Sequence, residues 1–170
     1  MCEDMTMLLT DYFRSTPDVT WEFARQCGVE HGTIRLPEDA EVDPACREHW
    51  RSVYKRFTDH GIRPVVIEPM PNSLHDHIKA GDAMRDECID KVIKMFAVMD
   101  ELDVRTICFN FMAHVCWART SSELPERGGA KVTGFRLADY VPGNAHITET
   151  ELWDNYAYFI KAVLPEAEKH

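Results

Sequence analysis

The chain has 170 residues, 45% of them apolar and 28% charged, which is the composition of one globular domain and excludes a disordered or collagen-like chain. Lys and Arg number 19 against 29 Asp and Glu, and the net charge of −10 repels a phosphate backbone, so nucleic-acid binding is not expected. No apolar run approaches the ~18 residues that cross a bilayer, and the acidic start Met1-Cys2-Glu3-Asp4 leads into no apolar core. The expectation is a cytoplasmic protein with no membrane partner.

Residues 5–9 read as a first strand. A helix follows, capped by Ser15 or Thr16, with Pro17 and Asp18 in its first turn and an apolar line through Val19, Phe23 and Cys27 to Gly28. Thr33 to Leu36 is a second strand. Asp43-Pro44 opens a second helix with Cys46, Trp50, Val53, Tyr54 and Phe57 on one side, closed by Gly61. Val65-Val66-Ile67 is β-branched throughout, as suits a strand buried on both faces. The polar stretch from Ser73 to Gly81 reads as a loop.

The next helix, expected to be the longest, carries Ile89, Val92, Ile93, Phe96, Met99 and Leu102 at i, i+3, i+4, i+7 spacing. Thr106 to Phe111 is a fourth strand. The long connection 112–147 holds a hairpin, with Gly128-Gly129 at its turn and Lys131-Val132-Thr133 as the outgoing strand. A connection of that length in a compact domain is usually functional. The last helix opens on the capping box Thr148-Glu149-Thr150-Glu151 and carries Leu152, Tyr156, Phe159, Ile160 and Val163, with Pro165 expected to bend or shorten its end.

Four βα units in succession make a parallel sheet covered by helices. A closed (β/α)₈ barrel takes ~250 residues. Periodicity alone therefore leaves two options, a small open α/β protein or half of a barrel. The six cysteines form no CxxC pair and are too scattered for a structural zinc site, so all are read as reduced thiols.

Ligand crevices in parallel α/β proteins lie at the C-terminal ends of the strands. Arg35, Glu68 and Asn110 occupy those ends, and an Arg, an acid and an amide suit an anionic, polyhydroxylated small molecule. Trp117 and Arg119 flank the mouth just beyond, where an indole face packs on a carbon chain and a guanidinium forks onto a carboxylate. His75-Asp76-His77 has the look of a metal tripeptide but lacks a partner at ligand spacing, so it is read as solvated surface, as are His49 and His60. His114 follows the fourth strand and is a possible entrant to the site. No Gly-rich phosphate loop and no GxSxG elbow occurs, which disfavours a nucleotide cofactor and a serine hydrolase.

Three blocks resemble the mannonate dehydratase family: Val104-Arg-Thr-Ile-Cys-Phe-Asn-Phe-Met112, Trp117-Ala-Arg-Thr120, and Leu124-Pro-Glu-Arg-Gly-Gly-Ala-Lys-Val-Thr-Gly-Phe135. Val66-Ile-Glu-Pro-Met-Pro71 with His77-Ile-Lys79, and the last helix from Leu152 to Ala167, are similar to that family too. The resemblance implies half of a (β/α)₈ TIM barrel in one domain, 1–170, with the hairpin-containing stretch 112–147 inserted after the fourth strand. It implies a hydro-lyase converting D-mannonate to 2-keto-3-deoxy-D-gluconate in hexuronate (glucuronate) catabolism, with Mn²⁺ or Fe²⁺ as cofactor. Glu68, Asn110, Trp117, Arg119 and Arg35 are then the substrate-binding candidates. Family members often carry Asp before the Trp, where this chain has Cys116. The family's metal ligands lie on later strands, so the chain alone is expected to lack the ion, the proton-transfer groups and activity. A homo-oligomer is expected. The competing readings are a fragment of a sugar isomerase or epimerase on the same barrel, and a non-catalytic half-barrel binding module.

Overall fold

A computed structural model describes residues 7–38, 42–112, 118–141 and 147–170. Strands β1 (Thr10–Phe13), β2 (His31–Ile34), β3 (Arg63–Ile67) and β4 (Thr106–Ile107) form one parallel sheet in the order β1-β2-β3-β4. Helix α1 (Val19–Gln26) joins β1 to β2, and α2 (Arg47–Asp59) joins β2 to β3. Two helices, α3 (Asn72–Ala80) and α4 (Arg85–Glu101), stand between β3 and β4. Strands β5 (Ser121–Pro125) and β6 (Lys131–Gly134) pair antiparallel, and α5 (Glu149–Ala167) comes last.

The register sorts the sheet into two faces. Phe13, Ile34 and Ile67 are aligned across three strands and are buried. Phe13 meets Trp21 edge-on at 5.9 Å, and Trp21 stacks on Phe57 at 4.3 Å, so α1 and α2 close over this side. Trp50, Val53, Ile89, Val92, Met95, Phe96, Phe159 and Val163 complete one continuous core. The row one residue earlier, Tyr12, Thr33, Val66 and Thr106, lies on the other face and is half-buried or exposed. There the Thr10 and Thr33 hydroxyls sit 3.2 Å apart, and an open groove of about 570 Å³ runs over Thr10, His31, Val66 and Thr106. The parallel four-stranded α/β sheet is as expected.

Several elements differ from the sequence expectation. The first strand is Thr10–Phe13, not 5–9: Met7 and Leu9 are 94% and 66% exposed, and what places the strand is pairing with β2 and burial of Phe13. Helix α1 is capped by Asp18, whose carboxylate accepts the Thr20 amide at 2.8 Å, rather than by Ser15 or Thr16. It buries Trp21 and Ala24 and leaves Val19, Phe23 and Cys27 exposed, the opposite of the expected face. β2 begins and ends two residues earlier than expected. Asp43-Pro44 forms a turn before α2, with Asp43 accepting the Ala45 amide at 2.9 Å and the Pro44 carbonyl accepting the Trp50 indole N–H at 2.6 Å.

The stretch from Ser73 to Gly81 is helix α3, not a loop. Leu74 and Ile78 share one face of it and are buried, and Gly81 ends it in the left-handed conformation at φ 65°. Strand β4 ends at Ile107 rather than at Phe111, and among the described residues beyond it Cys108 alone still makes backbone bonds to the neighbouring segment, to Ile67 at 2.7 Å and from Met70 at 2.9 Å. α5 has 19 residues against 17 in α4 and so is the longer, and Pro165 lies inside it without ending it. The Thr148–Glu151 capping box is formed on both sides. The hairpin turn has Gly128 and Gly129 at φ 70° and 79°, as the Gly-Gly signal predicts. Cys27, Cys46, Cys88 and Cys108 are free thiols.

Candidate functional site

The sheet presents its polar residues at one end. Arg35 directly follows β2, Glu68 directly follows β3, and Asn110 lies three residues beyond β4. Backbone bonds extend the ladder to hold them: Arg35 N–H donates to the Phe13 carbonyl at 3.1 Å, and Glu68 N–H to the Ile34 carbonyl at 2.9 Å. The Glu68–Pro69 peptide is cis, and the chain turns from there into α3. The expected trio thus stands on three adjacent strands at the C-terminal edge.

The Arg35 guanidinium pairs with Glu38 at 2.6 Å and interacts with the Tyr12 phenol, and both partners raise its already high pKa. It stays a cation at any working pH. Glu68 is exposed, and burial first and then the charge of the Glu68 carboxylate push the Cys108 thiol up. Asn110 is half-buried, and its side-chain oxygen accepts the Met112 amide at 3.3 Å. Tyr12 joins this end of the sheet as a residue the sequence reading missed. Its signal is hidden in the sequence because the run 5–9 reads as the first strand and leaves Tyr12 outside it.

Arg119 is exposed at the root of the hairpin, donating to Thr133 Oγ1 at 3.3 Å and to the Ala118 carbonyl at 3.0 Å. Trp117, His114 and Cys116 lie outside the described residues. His75, expected at the surface, is 1% exposed. The correction follows from α3: position 75 falls on the helix side that faces Phe109 and Phe111. His77 is the outward residue of the pair and meets Asp82 at 2.7 Å, which lowers the Asp82 pKa. His60 is exposed, as expected, while His49 is half-buried and accepts the Asp43 amide at 2.8 Å.

Among the described residues no three His, Cys, Asp or Glu side chains gather in a way that would hold a metal ion. What the strand ends offer is a cation, a carboxylate, an amide and a phenol. These donors and acceptors match hydroxyl and carboxylate groups of a small ligand. None of the described helices is long and apolar enough to cross a membrane.

A profile of the D-mannonate dehydratase (UxuA) family matches residues 5–140. A mannonate dehydratase of Streptococcus agalactiae serotype Ia is 30% identical over 178 residues, spanning 88% of this chain and 51% of the relative. One from Streptococcus suis is 27% identical over 194 residues, spanning 97% of this chain and 52% of the relative. The crystal structure of mannonate dehydratase from Streptococcus suis serotype 2 superimposes with a TM-score of 0.79 at 24% identity, covering 96% of this chain and 51% of that one. The chain spans about half the length of the curated relatives it matches.

Proposed function

Because the chain belongs to the D-mannonate dehydratase family, we propose that it forms the substrate-facing wall of a hydro-lyase that removes water from D-mannonate to give 2-keto-3-deoxy-D-gluconate. The observation that carries this reading is the alignment of Arg35, Glu68 and Asn110 at the ends of three adjacent parallel strands. In this reading the sheet is half of a (β/α)₈ barrel, the chain 1–170 is one domain, and the stretch 112–147 with its β5–β6 hairpin is an insertion after the fourth strand. The strand order β1-β2-β3-β4 with one helix-covered face supports it.

The reaction takes the proton from C2 and expels the C3 hydroxyl as water, and the resulting enol becomes the 2-keto acid. Arg35 and Arg119 are assigned to the substrate carboxylate, Glu68 and Asn110 to hydroxyls, and Trp117 to the carbon chain. The family's divalent ion, Mn²⁺ or Fe²⁺, does not fit the described residues, which assemble no donor cluster. In this reading the chain's part is binding and orientation, in the cytoplasm and in hexuronate breakdown.

Titration of the chain with D-mannonate, followed by line broadening of the sugar-acid protons, tests the reading. Saturable binding that weakens about tenfold or more in Arg35→Ala and Asn110→Ala is expected. So is the absence of 2-keto acid even with added Mn²⁺. No saturable binding would overturn the substrate assignment, and turnover above a metal-only blank would put the catalytic groups on this chain.

A further inference from the structure

His75 is a buried polar group that the proposed site does not use. It is 1% exposed, and its one polar neighbour at the ring is the Asn110 backbone, which favours the protonated form without making a hydrogen bond of full geometry. Its ring stands edge-on to Phe109, with centroids 6.3 Å apart at 88°, and to Phe111, 6.0 Å apart at 69°. These are the residues on either side of Asn110. Both phenyl rings also pack on Phe159 of α5, at 5.3 and 5.9 Å, and Tyr156 meets Phe111 at 5.1 Å. Helix α3 is tied to α5 a turn further on, where Asn155 donates to the Lys79 carbonyl at 2.9 Å.

The segment 109–111 is held by ring packing, on His75 from α3 and on Phe159 and Tyr156 from α5, rather than by the sheet. Past Cys108 no backbone bond joins this segment to β3 among the described residues. Phe109 and Phe111 both meet His75 and Phe159, so the two residues flanking Asn110 are held on one side, the alternation that sends the residue between them the other way. Fixing Phe109 and Phe111 therefore fixes where Asn110 points. The ring is suited to this because it stays uncharged at neutral pH. Burial, then the Lys79 ammonium, lower its pKa to about 4, against the opposing pull of the Asn110 backbone and Asp76.

We propose that His75 is a positioning residue for Asn110, its ring setting the course of the backbone that carries the amide. The proposal rests on the reading of Asn110 as part of the substrate-facing wall, and its test needs no substrate. The side-chain amide signals of Asn110 are followed by ¹⁵N NMR in the full chain at pH 7, with the amides of Gly128 and Gly129 in the hairpin as internal blank. In His75→Ala the Asn110 signals are expected to move and broaden while the two glycines stay in place. In His75→Phe, which keeps an aromatic ring, they return toward the wild-type position. If His75→Ala does not fold, His75→Gln, which keeps bulk without a ring, takes its place. A folded variant that loses stability while the Asn110 signals stay put would overturn the proposal, because a residue that only fills the core has that signature. So would equal displacement in His75→Phe. Failure of D-mannonate to bind overturns the substrate assignment and leaves the positioning result standing.

Discussion

An imidazole held at 1% exposure beside the Lys79 ammonium sheds its proton to stay where it is. The unfolded chain titrates His75 near 6.5 and the folded chain at about 4, so between those values the unfolded state binds a proton that the folded state refuses. The stability this burial permits is complete above about pH 6.5 and falls as the pH drops toward 4. The full loss is about 3 kcal/mol for a shift of this size. Urea unfolding at pH 7, 5.5 and 4.5, with His75→Phe as reference, measures it. The difference between the two proteins should widen against the wild type in acid, and a constant difference would mean that His75 titrates normally. The sequence reading of His75-Asp76-His77 as surface shows why residue type is a weak guide here. One residue of that tripeptide faces rings and the other faces Asp82, and only the helix that holds them decides which.

Helix α3 depends on how it stops. Gly81 takes φ 65°, and a Cβ built there would press on the Asn155 side chain, the same group that bonds the Lys79 carbonyl from α5. Gly81→Ala therefore combines left-handed backbone strain, roughly 1–2 kcal/mol, with loss of the α3–α5 tie. A total near 3 kcal/mol is expected, read as a lowered urea midpoint with unchanged slope. An effect below about 0.5 kcal/mol, the range of an ordinary surface substitution, would mean that Asn155 moves aside freely. Other element boundaries were legible from local chemistry: the Thr148–Glu151 capping box and the Gly-Gly hairpin turn are local devices that act the same way in any fold. The face of α1 was not. Val19, Phe23 and Cys27 have helical spacing, yet the helix turns Trp21 inward because Phe13 and Phe57 offer that indole an edge and a face.

At the scale of the whole molecule, the sheet has helices on one face and a groove of about 570 Å³ on the other. Among the described residues β1 and β4 each pair on one side alone, and Leu8, Leu9, Val19 and Phe23 near β1 and Trp153 and Leu164 on α5 are exposed apolar groups. Unpaired edges beside apolar surface are templates for association. We therefore propose a two-fold dimer in which each copy lays its β1 edge along its partner's β4 edge, the commonest kind of closed assembly. Light scattering behind a sizing column should give twice 19.6 kDa at tens of micromolar. A clean 19.6 kDa species would show that the bare face is tolerated or covered from within.

Read alone, the sequence determined the α/β class, the succession of four βα units, the hairpin, the α5 cap, and the position of Arg35, Glu68 and Asn110 at or just past the strand ends. These follow from periodicity, turn chemistry and the change from apolar to polar at strand ends, all of which act over a few residues. Tertiary structure decided the rest. It moved β1 to Thr10–Phe13 and so brought Tyr12 to Arg35, made a helix of 72–80, and buried His75 behind Asn110. Strand pairing and ring packing join residues far apart in the chain, such as His75 with Phe109 and Phe111, and an apolar residue is buried only where a partner from another element meets it.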